Sequence, residues 1–307
     1  FDQRRCFTAL QNLHASGELR LRVLKSIPLP DLEHAIALGL RSGFGDDFLR
    51  IGSVKIFSDG ALGPLTAAML HPYTNTQDKL GMLLLTTSQI YEIGCQAVAN
   101  GFSLAVHAIG DRANREALEA FEQLRAFELD QGLPAYRHRI EHVQLLHPDD
   151  LNRLARLNLI ASVQPIHATS DMDMAKRHWG ERAAFSYAYG ALHKHGTLLT
   201  LGSDAPVESP NPFWGIHAAV TRCRRDGSPN LKGWYATQRL TLQDALYGYT
   251  VAPAITAGVQ DRLGKIASDF HADLIVLASD PFDTPPQEIQ HLRPQAVMVG
   301  GEWVWQS

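Results

Sequence analysis

Three observations predict an α/β fold of the (β/α)8 TIM-barrel type, incomplete at its amino-terminal end. Short apolar segments rich in β-branched residues recur along the 307-residue chain, and a helical pattern follows each of them unless a loop intervenes. One repeat covers roughly 30 to 50 residues, the length of a strand-helix unit. From Leu19 onward we count six such strands, preceded by a helical half-unit. We therefore expect an eight-stranded barrel without its first two strands, with a doubly wound open sheet as the alternative.

The strand positions follow from the apolar runs. Residues 104–106 are typical of a fully buried parallel strand, and this run stops at a histidine, His107. Taken alone, His107 is either a capped core histidine or a functional one. The six predicted strands are residues 19–27, 54–57, 104–106, 139–144, 160–164 and 198–201.

Helical patterns fill the intervals between the strands. Residues 1–17 predict the end of a helix, and Asp111 or Asn114 can cap the helix that follows His107. Pro148 suits the first turn of a helix, whereas Pro165 predicts the start of a polar loop. Other helical patterns cover residues 31–40, 88–100, 148–157, 242–250 and 253–257.

The chain divides into two predicted domains. Residues 1–258 form the barrel, truncated at its amino-terminal end. Residues 259–307 have the turns and β-branched residues of a small antiparallel sheet.

Composition excludes several classes of protein. The net charge is −4 and the basic residues are scattered, so a nucleic-acid surface is not expected. No apolar run approaches the roughly 20 residues of a membrane span. Cys6, Cys95 and Cys223 are odd in number and form no Cys-x-x-Cys pair, which is typical of buried thiols in a reducing compartment. We expect a cytoplasmic protein that binds a small molecule, neither nucleic acid nor membrane, and a homodimer is left open.

Polar residues lie at or near the ends of four predicted strands. Lys55, His107, His142 and Asp204 are separated by 52, 35 and 62 residues, which is one, one and two strand-helix units. In a barrel these side chains converge at the carboxyl-terminal face. Two imidazoles and a carboxylate are the ligand set of a catalytic zinc or a similar divalent ion, with a position left open for water. The sequence therefore predicts a metal site.

Each of these residues also has a structural interpretation. Lys55 pairs with Asp59 or Glu141 in the core, or it is carboxylated and bridges two metals with its two oxygens. Asp204 caps a helix, or it binds metal and takes a proton from the nucleophilic water. Unrelated burial of these polar side chains is the alternative to a metal site.

Residues next to the ligand set also leave alternatives open. Strand alternation predicts that Arg139 and Glu141, beside His142, point away from the pore as a structural ion pair. His167 is either a surface residue or a donor to a substrate carbonyl oxygen. Loops 58–66 and 205–212 are expected to shape the substrate pocket, with Asp59, Gly60 and His167 as substrate-binding residues.

A second histidine pair has the spacing of a metal motif. His193 and His195 flank Lys194 at the end of a predicted helix, where cationic side chains interact favourably with the helix dipole. We therefore do not assign them to a metal site.

Five segments resemble the amidohydrolase superfamily, and more narrowly its amidohydrolase 3 branch, which includes N-substituted formamide deformylase and N-acyl amino acid hydrolases. They are VKIFSDGALG, LAVHAIGDRAN, RHRIEHVQLLHPDDLNRLARLNLIASVQPIH, LGSDAPVESPNP and LGKIASDFHADLIVL. The match runs from about residue 19 to the end. The resemblance implies a (β/α)8 barrel with His107 and His142 as metal ligands, Asp204 as ligand and general base, and Lys55 as the lysine that many relatives carboxylate. It also implies that the small sheet of residues 259–307 is the carboxyl-terminal part of a β-sandwich.

The resemblance also implies a function, and the sequence departs from the family pattern in one respect. It implies hydrolysis of an amide-like C–N bond by a metal-activated water, with Asp204 and His167 as catalytic residues and one or two zinc ions as cofactor. No predicted strand carries the His-x-His pair of the family's first strand, so we expect a fragment whose metal site lacks two ligands and whose activity is in doubt. The alternatives are a non-catalytic ligand-binding fragment and a hydrolase of another bond, such as a phosphoester.

Overall fold

A parallel β-sheet forms the centre of the computed structural model, which describes residues 4–307. The strands are β1 (Val23–Pro28), β2 (Leu49–Phe57), β3 (Leu104–Ala108), β4 (Arg139–His142), β5 (Ile160–Val163) and β6 (Leu198–Leu201).

The six strands lie in the order β1 to β6, and each is parallel to its neighbours. This order confirms the predicted strand-helix repeat. The doubly wound alternative is wrong, because such a sheet reverses its strand order at a switch point. Within residues 4–307, β1 and β6 are the edges of the sheet, which does not close into a barrel.

Eleven α-helices and several 3-10 turns connect the strands of residues 4–307. The helices are α1 (Arg4–Ala15), α2 (Leu32–Ala37), α3 (Thr87–Ala99), α4 (Asp111–Asp130), α5 (Arg153–Arg156), α6 (Pro165–Ser170), α7 (Met172–Trp179), α8 (Tyr189–Lys194), α9 (Pro212–Thr221), α10 (Leu242–Tyr249) and α11 (Val251–Ala257). The helix predicted for residues 1–17 is confirmed from Arg4 onward, and its first three residues lie outside the described part of the chain.

Alternation within the strands separates an apolar face from a polar one. Val54, Ile56 and Ile140 are almost fully buried, whereas Lys55 and Glu141, at the intervening positions, line a cavity. Right-handed connections between sequential parallel strands place the helices on one face of the sheet. On that side, α3 and α4 approach closely at Gly94, where a Cβ atom would lie 2.8 Å from Leu124.

Several element bounds differ from the sequence prediction for local reasons. The strand predicted for residues 139–144 ends at His142, whose φ of 74° leaves the extended region. The predicted cap of α4 is wrong, because Gly110 is the N-cap and Asp111 is the first helical residue. The segment after Pro165, predicted as a polar loop, forms α6 and α7. The helix predicted for residues 148–157 consists of a 3-10 turn and the short helix α5.

The carboxyl-terminal segment forms the predicted small antiparallel sheet. Its strands are β7 (Leu274–Leu277), β8 (Pro294–Val299) and β9 (Glu302–Gln306). Arg22, just before β1, binds Asp273, just before β7, through two bonds of 2.5 and 2.8 Å. The domain boundary at residue 258 and the β-sandwich remain predictions. Among the described residues, the helices are too short or too polar to cross a bilayer.

The ion pair between Arg22 and Asp273 predicts a pH dependence of stability. Burial alone would raise the pKa of Asp273, but the bonds from Arg22 and from the Gly300 N–H lower it. A lowered pKa adds stability above the unfolded value of about 3.9, and this stability is lost as the pH falls through the folded value. We expect Asp273→Asn to cost about 1 kcal/mol at pH 7, since solvent partly screens the pair.

Denaturant unfolding of both chains between pH 3 and pH 7 measures this contribution. The difference between wild type and Asp273→Asn should shrink toward pH 3. Asp261→Asn, at a more exposed carboxylate, is the matched control. A difference that stays constant or grows toward acid pH would contradict the assignment.

Candidate metal centre

The parallel register brings polar side chains from neighbouring strands to the same edge of the sheet. Phe57 on β2 pairs in register with His107 on β3, and His107 pairs with Glu141 on β4. Parallel strands have their carboxyl ends at one edge, which is where α/β proteins bind ligands. Among the predicted ligands, His107 is flanked in register by Phe57 and Glu141, whereas Lys55 pairs with Ala105 and His142 pairs with Ala108.

His142 reaches this edge through a break in strand alternation. It directly follows Glu141, so regular alternation would turn the two side chains to opposite faces. Positive φ angles of 74° at His142 and 47° at Val143 break the pattern, and Glu141 and His142 both line the same cavity. The prediction that Arg139 and Glu141 point away from the pore is therefore wrong.

Three side chains form a cluster that could hold a metal ion. His142, His167 and Asp204 each offer one ligand atom, and these atoms lie within 4.8 Å of one another. His167 Nε2 lies 3.6 Å from Asp204 Oδ2. Asp204 follows β6 in a turn with a φ of 58°, so the helix-cap interpretation is wrong. Among residues 4–307, this is the group of potential ligands that meets in space.

The cluster overlaps with the predicted ligand set without matching it. His142 and Asp204 belong to both sets, and His167 joins them from α6, where it is only 6% exposed. His167 is therefore not the surface residue of the first interpretation. His107 lies beside the cluster, with its ring centre 4.6 Å from that of His142, but its Nε2 bonds to the Gly60 carbonyl at 2.8 Å.

The protonation states suit a cation. Burial lowers the pKa of His107 to about 3 and also lowers that of His142, and nearby positive charge acts in the same direction. Burial opposes ionisation of Asp204, but His167, His142 and Lys55 together lower its pKa. These shifts favour a neutral His142 and an ionised Asp204 at neutral pH, the forms that ligate metal.

Lys55 lies in the same cavity, beneath the cluster. Burial lowers its pKa, and Glu141 and Asp204 are the carboxylates that act against this shift. Its Nζ lies 5.1 Å from the centre of the Phe57 ring. Glu141 in turn accepts a 2.5 Å bond from Arg139 Nε, so the predicted ion pair exists inside the pore.

Asp59 and Gly60 lie behind the cavity wall. Asp59 is 1% exposed and accepts hydrogen bonds from the backbone N–H groups of Ala68, Ile109 and Gly110. Its Oδ1 also lies 3.6 Å from His107 Nε2. These contacts join the loops after β2 and β3 and hold the His107 ring. Substrate binding by Asp59 and Gly60 remains a prediction.

Two polar residues that the sequence did not single out contact the cluster. Gln164 Oε1 lies 2.9 Å from His142 Nδ1, and Glu208 Oε1 lies 3.8 Å from His167 Nδ1. The position of Gln164 at the end of a predicted strand was a usable signal. Glu208 lies in the loop that was expected to shape the pocket.

The histidine pair at the end of α8 lies apart from the cluster. His193 Nε2 lies 3.4 Å from Asp244, and half of the His193 side chain is exposed. Neither His193 nor His195 belongs to the ligand cluster found among residues 4–307.

A cavity of about 560 Å³ opens beside the cluster. Lys55, Glu141, His142 and Asp204 form its polar side. The lining also contains apolar residues, which include Pro28, Leu29, Pro30, Phe57, Leu84 and Leu85. The cavity therefore has room for a small molecule with one apolar group.

A sequential parallel sheet with a histidine-carboxylate cluster at its carboxyl edge defines an α/β protein with a candidate metal centre. The chain belongs to the amidohydrolase family, whose model matches residues 2–305. This match confirms the resemblance found in the sequence.

Comparison with individual proteins agrees with the family. The chain is 31% identical over 294 residues to Protein LONG AFTER FAR-RED 3 of Arabidopsis thaliana, covering 95% of this chain and 49% of that protein. It is 26% identical over 265 residues to N-substituted formamide deformylase of Arthrobacter pascens, covering 82% of this chain and 45% of that one. The chain thus spans about half the length of these relatives.

A solved structure shares both the sequence and the fold. The crystal structure of an uncharacterized metal-dependent hydrolase from Pyrococcus horikoshii superposes with a TM-score of 0.81 at 31% identity. The superposition covers 92% of this chain and 56% of that one. The sheet order and the helix connections are therefore those of a known hydrolase architecture.

The donor set fits a divalent metal. Two imidazoles and a carboxylate are borderline ligands of the kind that zinc and similar transition metals bind, and three protein ligands leave a position open. His142 and His167 each face an oxygen of a neighbouring side chain with Nδ1, as metal-binding histidines usually do.

The cluster predicts which histidines matter for metal binding. We expect His142→Ala to lower the affinity for zinc by roughly 100-fold or more. Loss of an outer-shell partner lowers metal affinity by roughly 10- to 100-fold, and loss of a direct ligand should lower it further. His193→Ala should bind zinc like the unchanged chain. Competition with a chromophoric chelator measures both affinities. Equal zinc binding by His142→Ala, or a loss in His193→Ala, would contradict the site.

Proposed function

We propose that this protein is a metal-dependent hydrolase that cleaves the C–N bond of a small-molecule amide. The observation that carries the proposal is the cluster of His142, His167 and Asp204 at the edge of the cavity. Membership of the amidohydrolase family supports hydrolysis as the reaction class. The sequential parallel order of β1 to β6 supports the (β/α)8 barrel as the architecture.

Zinc is the proposed metal, held by His142, His167 and Asp204. A divalent ion in this position polarises a carbonyl oxygen and lowers the pKa of water toward neutrality. Lys55 and His107 border the same cluster, and we propose them as ligands of a second ion, with Lys55 as a carbamate. Burial lowers the pKa of Lys55 and so favours the neutral amine, the form that reacts with carbon dioxide.

Asp204 is the proposed general base and acid. Its lowered pKa keeps the carboxylate ionised at neutral pH, and about two fifths of its side chain is exposed toward the cavity mouth. It accepts a proton from the attacking water and returns it to the nitrogen of the leaving amine. Asp204 lies in a turn after β6, and its charge acts to raise the pKa of Lys55 and of His107, which supports its assignment to the same site.

The cavity wall orients the substrate in this proposal. His167, which the sequence analysis also offered as a donor to a substrate carbonyl oxygen, serves here as a metal ligand, because its Nε2 faces Asp204 within the cluster. Leu29, Leu84 and Leu85 in the cavity lining accommodate an apolar acyl or amine part. Loops 58–66 and 205–212 complete the pocket.

Cellular setting and assembly are also proposals. Free thiols at Cys6, Cys95 and Cys223 support a reducing, cytoplasmic compartment. A small-molecule amide is the proposed binding partner. A homodimer is the proposed assembly, and light scattering of the purified protein measures its mass.

Asp204→Asn tests the proton-transfer role. The substitution keeps the size of the side chain but removes the base, so we expect kcat for amide cleavage to fall by roughly 10²- to 10⁴-fold. Asp244→Asn, a carboxylate beside His193, is the control and should keep its activity. Activity of Asp204→Asn within a few fold of the unchanged protein would contradict the assignment.

A substrate panel tests the proposed bond. We expect the zinc-loaded protein to release amine from N-formyl amines or N-acyl amino acids, measured by derivatisation of the free amine. Phosphoesters in the same panel should stay intact. Cleavage confined to phosphoesters would overturn the amidase proposal, and zinc binding without cleavage of any member would favour a ligand-binding role.

A further inference from the structure

Both imidazoles of the cluster face a side-chain oxygen with the same ring nitrogen, by a hydrogen bond at His142 and at ion-pair distance at His167. His142 Nδ1 lies 2.9 Å from Gln164 Oε1. His167 Nδ1 lies 3.8 Å from Glu208 Oε1, and its Nε2 faces Asp204 instead. Gln164 comes from the end of β5 and Glu208 from the loop after β6, so two separate elements supply the same kind of contact.

The orientation of the Gln164 amide follows from its own contacts. Its Nε2 donates to the carbonyl of Ser162, which leaves Oε1 to face His142. The Gln164 backbone carbonyl accepts a bond from the Tyr189 hydroxyl, and Pro165 follows directly at the start of α6. Gln164 is only 6% exposed. The acceptor oxygen is thus held in place by β5, α6 and α8 together.

An amide oxygen on Nδ1 fixes the tautomer of His142. The Gln164 oxygen carries no proton, so the hydrogen of the contact belongs to the imidazole. A neutral imidazole has one N–H, and its other nitrogen then has a free lone pair. His142 therefore presents Nε2 as its ligand atom.

Glu208 provides the corresponding contact for His167. Its carboxylate is about one fifth exposed, and Asp204 and Glu208 flank the turn closed by the Val207 N–H and the Asp204 carbonyl. One turn therefore carries the carboxylate that faces Nε2 and the carboxylate that faces Nδ1 of the same ring. This places His167 between a proposed ligand and an outer acceptor.

We propose that Gln164 and Glu208 are positioning residues for the two imidazoles. Gln164 holds His142 as the Nδ1–H tautomer through its hydrogen bond, and the Glu208 carboxylate, at ion-pair distance, favours a proton on Nδ1 of His167, so that Nε2 of each ring is left to bind a metal. The inference rests on the metal centre of the proposed function and adds its outer shell. Outer-shell acceptors orient the ring and raise the basicity of the ligand atom. Neither residue contacts the reacting bond in this account.

Zinc affinity tests the proposal without any substrate. Gln164→Met and Glu208→Met keep the side-chain length but remove the acceptor, and we expect each to weaken zinc binding by roughly 10- to 100-fold. Gln164→Glu and Glu208→Gln keep an acceptor oxygen and should bind zinc within about threefold of the unchanged chain, well short of that loss. Gln238→Met removes an acceptor that serves the Ala191 N–H outside the cluster, so it is the matched control.

A tautomer measurement provides the second readout. Long-range ¹H–¹⁵N spectra of the metal-free, histidine-labelled chain report which ring nitrogen carries the proton, and His142→Ala assigns the signal. We expect His142 to be the Nδ1–H tautomer, and Gln164→Met to shift its population toward Nε2–H. A purely structural role of Gln164 would lower the melting temperature without this shift.

The outcomes separate this proposal from the proposed function. Three results would each overturn the positioning role, whatever the activity. The first is unchanged zinc affinity in both methionine variants, and the second is an Nε2–H tautomer of His142 in the unchanged chain. The third is an equal loss of zinc affinity in Gln238→Met. Loss of affinity with rescue by Gln164→Glu and Glu208→Gln supports it even if no amide is cleaved. A chain that binds no zinc overturns both proposals.

Discussion

The hydrogen-bond register of the parallel sheet determines where the site residues of the strands lie. It places His107 between Phe57 and Glu141, and Lys55 and Glu141 line the cavity beside it. Buried charges are costly unless they are paired and hydrogen-bonded. Arg139 meets this requirement by donating to Glu141 and, at 2.8 Å, to Ser53, which also contacts Ser103. This polar network in turn supports the floor of the cavity beneath the cluster.

The cluster depends on local departures from regular structure. Positive φ angles at His142 and Asp204 place two of its members, and each such conformation costs on the order of 1–3 kcal/mol. Hydrogen bonds after β4, from the Val143 N–H to Ala108 and from the Leu145 N–H to Ile109, stabilise the first of them. Strain at this edge of the sheet is therefore stabilised by the packing around it, as is common at functional sites.

The sequence predicted what depends on repeated patterns and missed what depends on single backbone angles. Apolar runs and their spacing predicted the six parallel strands and the edge where His142 and Asp204 meet. The direction of His142 could not be predicted, because it follows from the positive φ angles at His142 and Val143 and not from residue type. Regular alternation counted back from His142 therefore assigned Arg139 and Glu141 to the wrong face. The place of His167 in the cluster was missed because the segment after Pro165 is polar, yet it folds into α6 against α9. The sequence analysis assigned Asp59 to the pocket but did not predict its hydrogen bonds with three backbone N–H groups. These bonds join loops that are distant in the sequence, so only the folded structure shows them.

In the proposed metal centre, a divalent ion binds between β4, α6 and the turn after β6. Anomalous diffraction from crystals of the zinc-loaded protein, recorded on both sides of the zinc absorption edge, locates this ion. We expect a peak at roughly 2.0–2.2 Å from a nitrogen of His142, a nitrogen of His167 and an oxygen of Asp204. A peak at His193 and His195, or no peak at the edge of the cavity, would contradict this proposal.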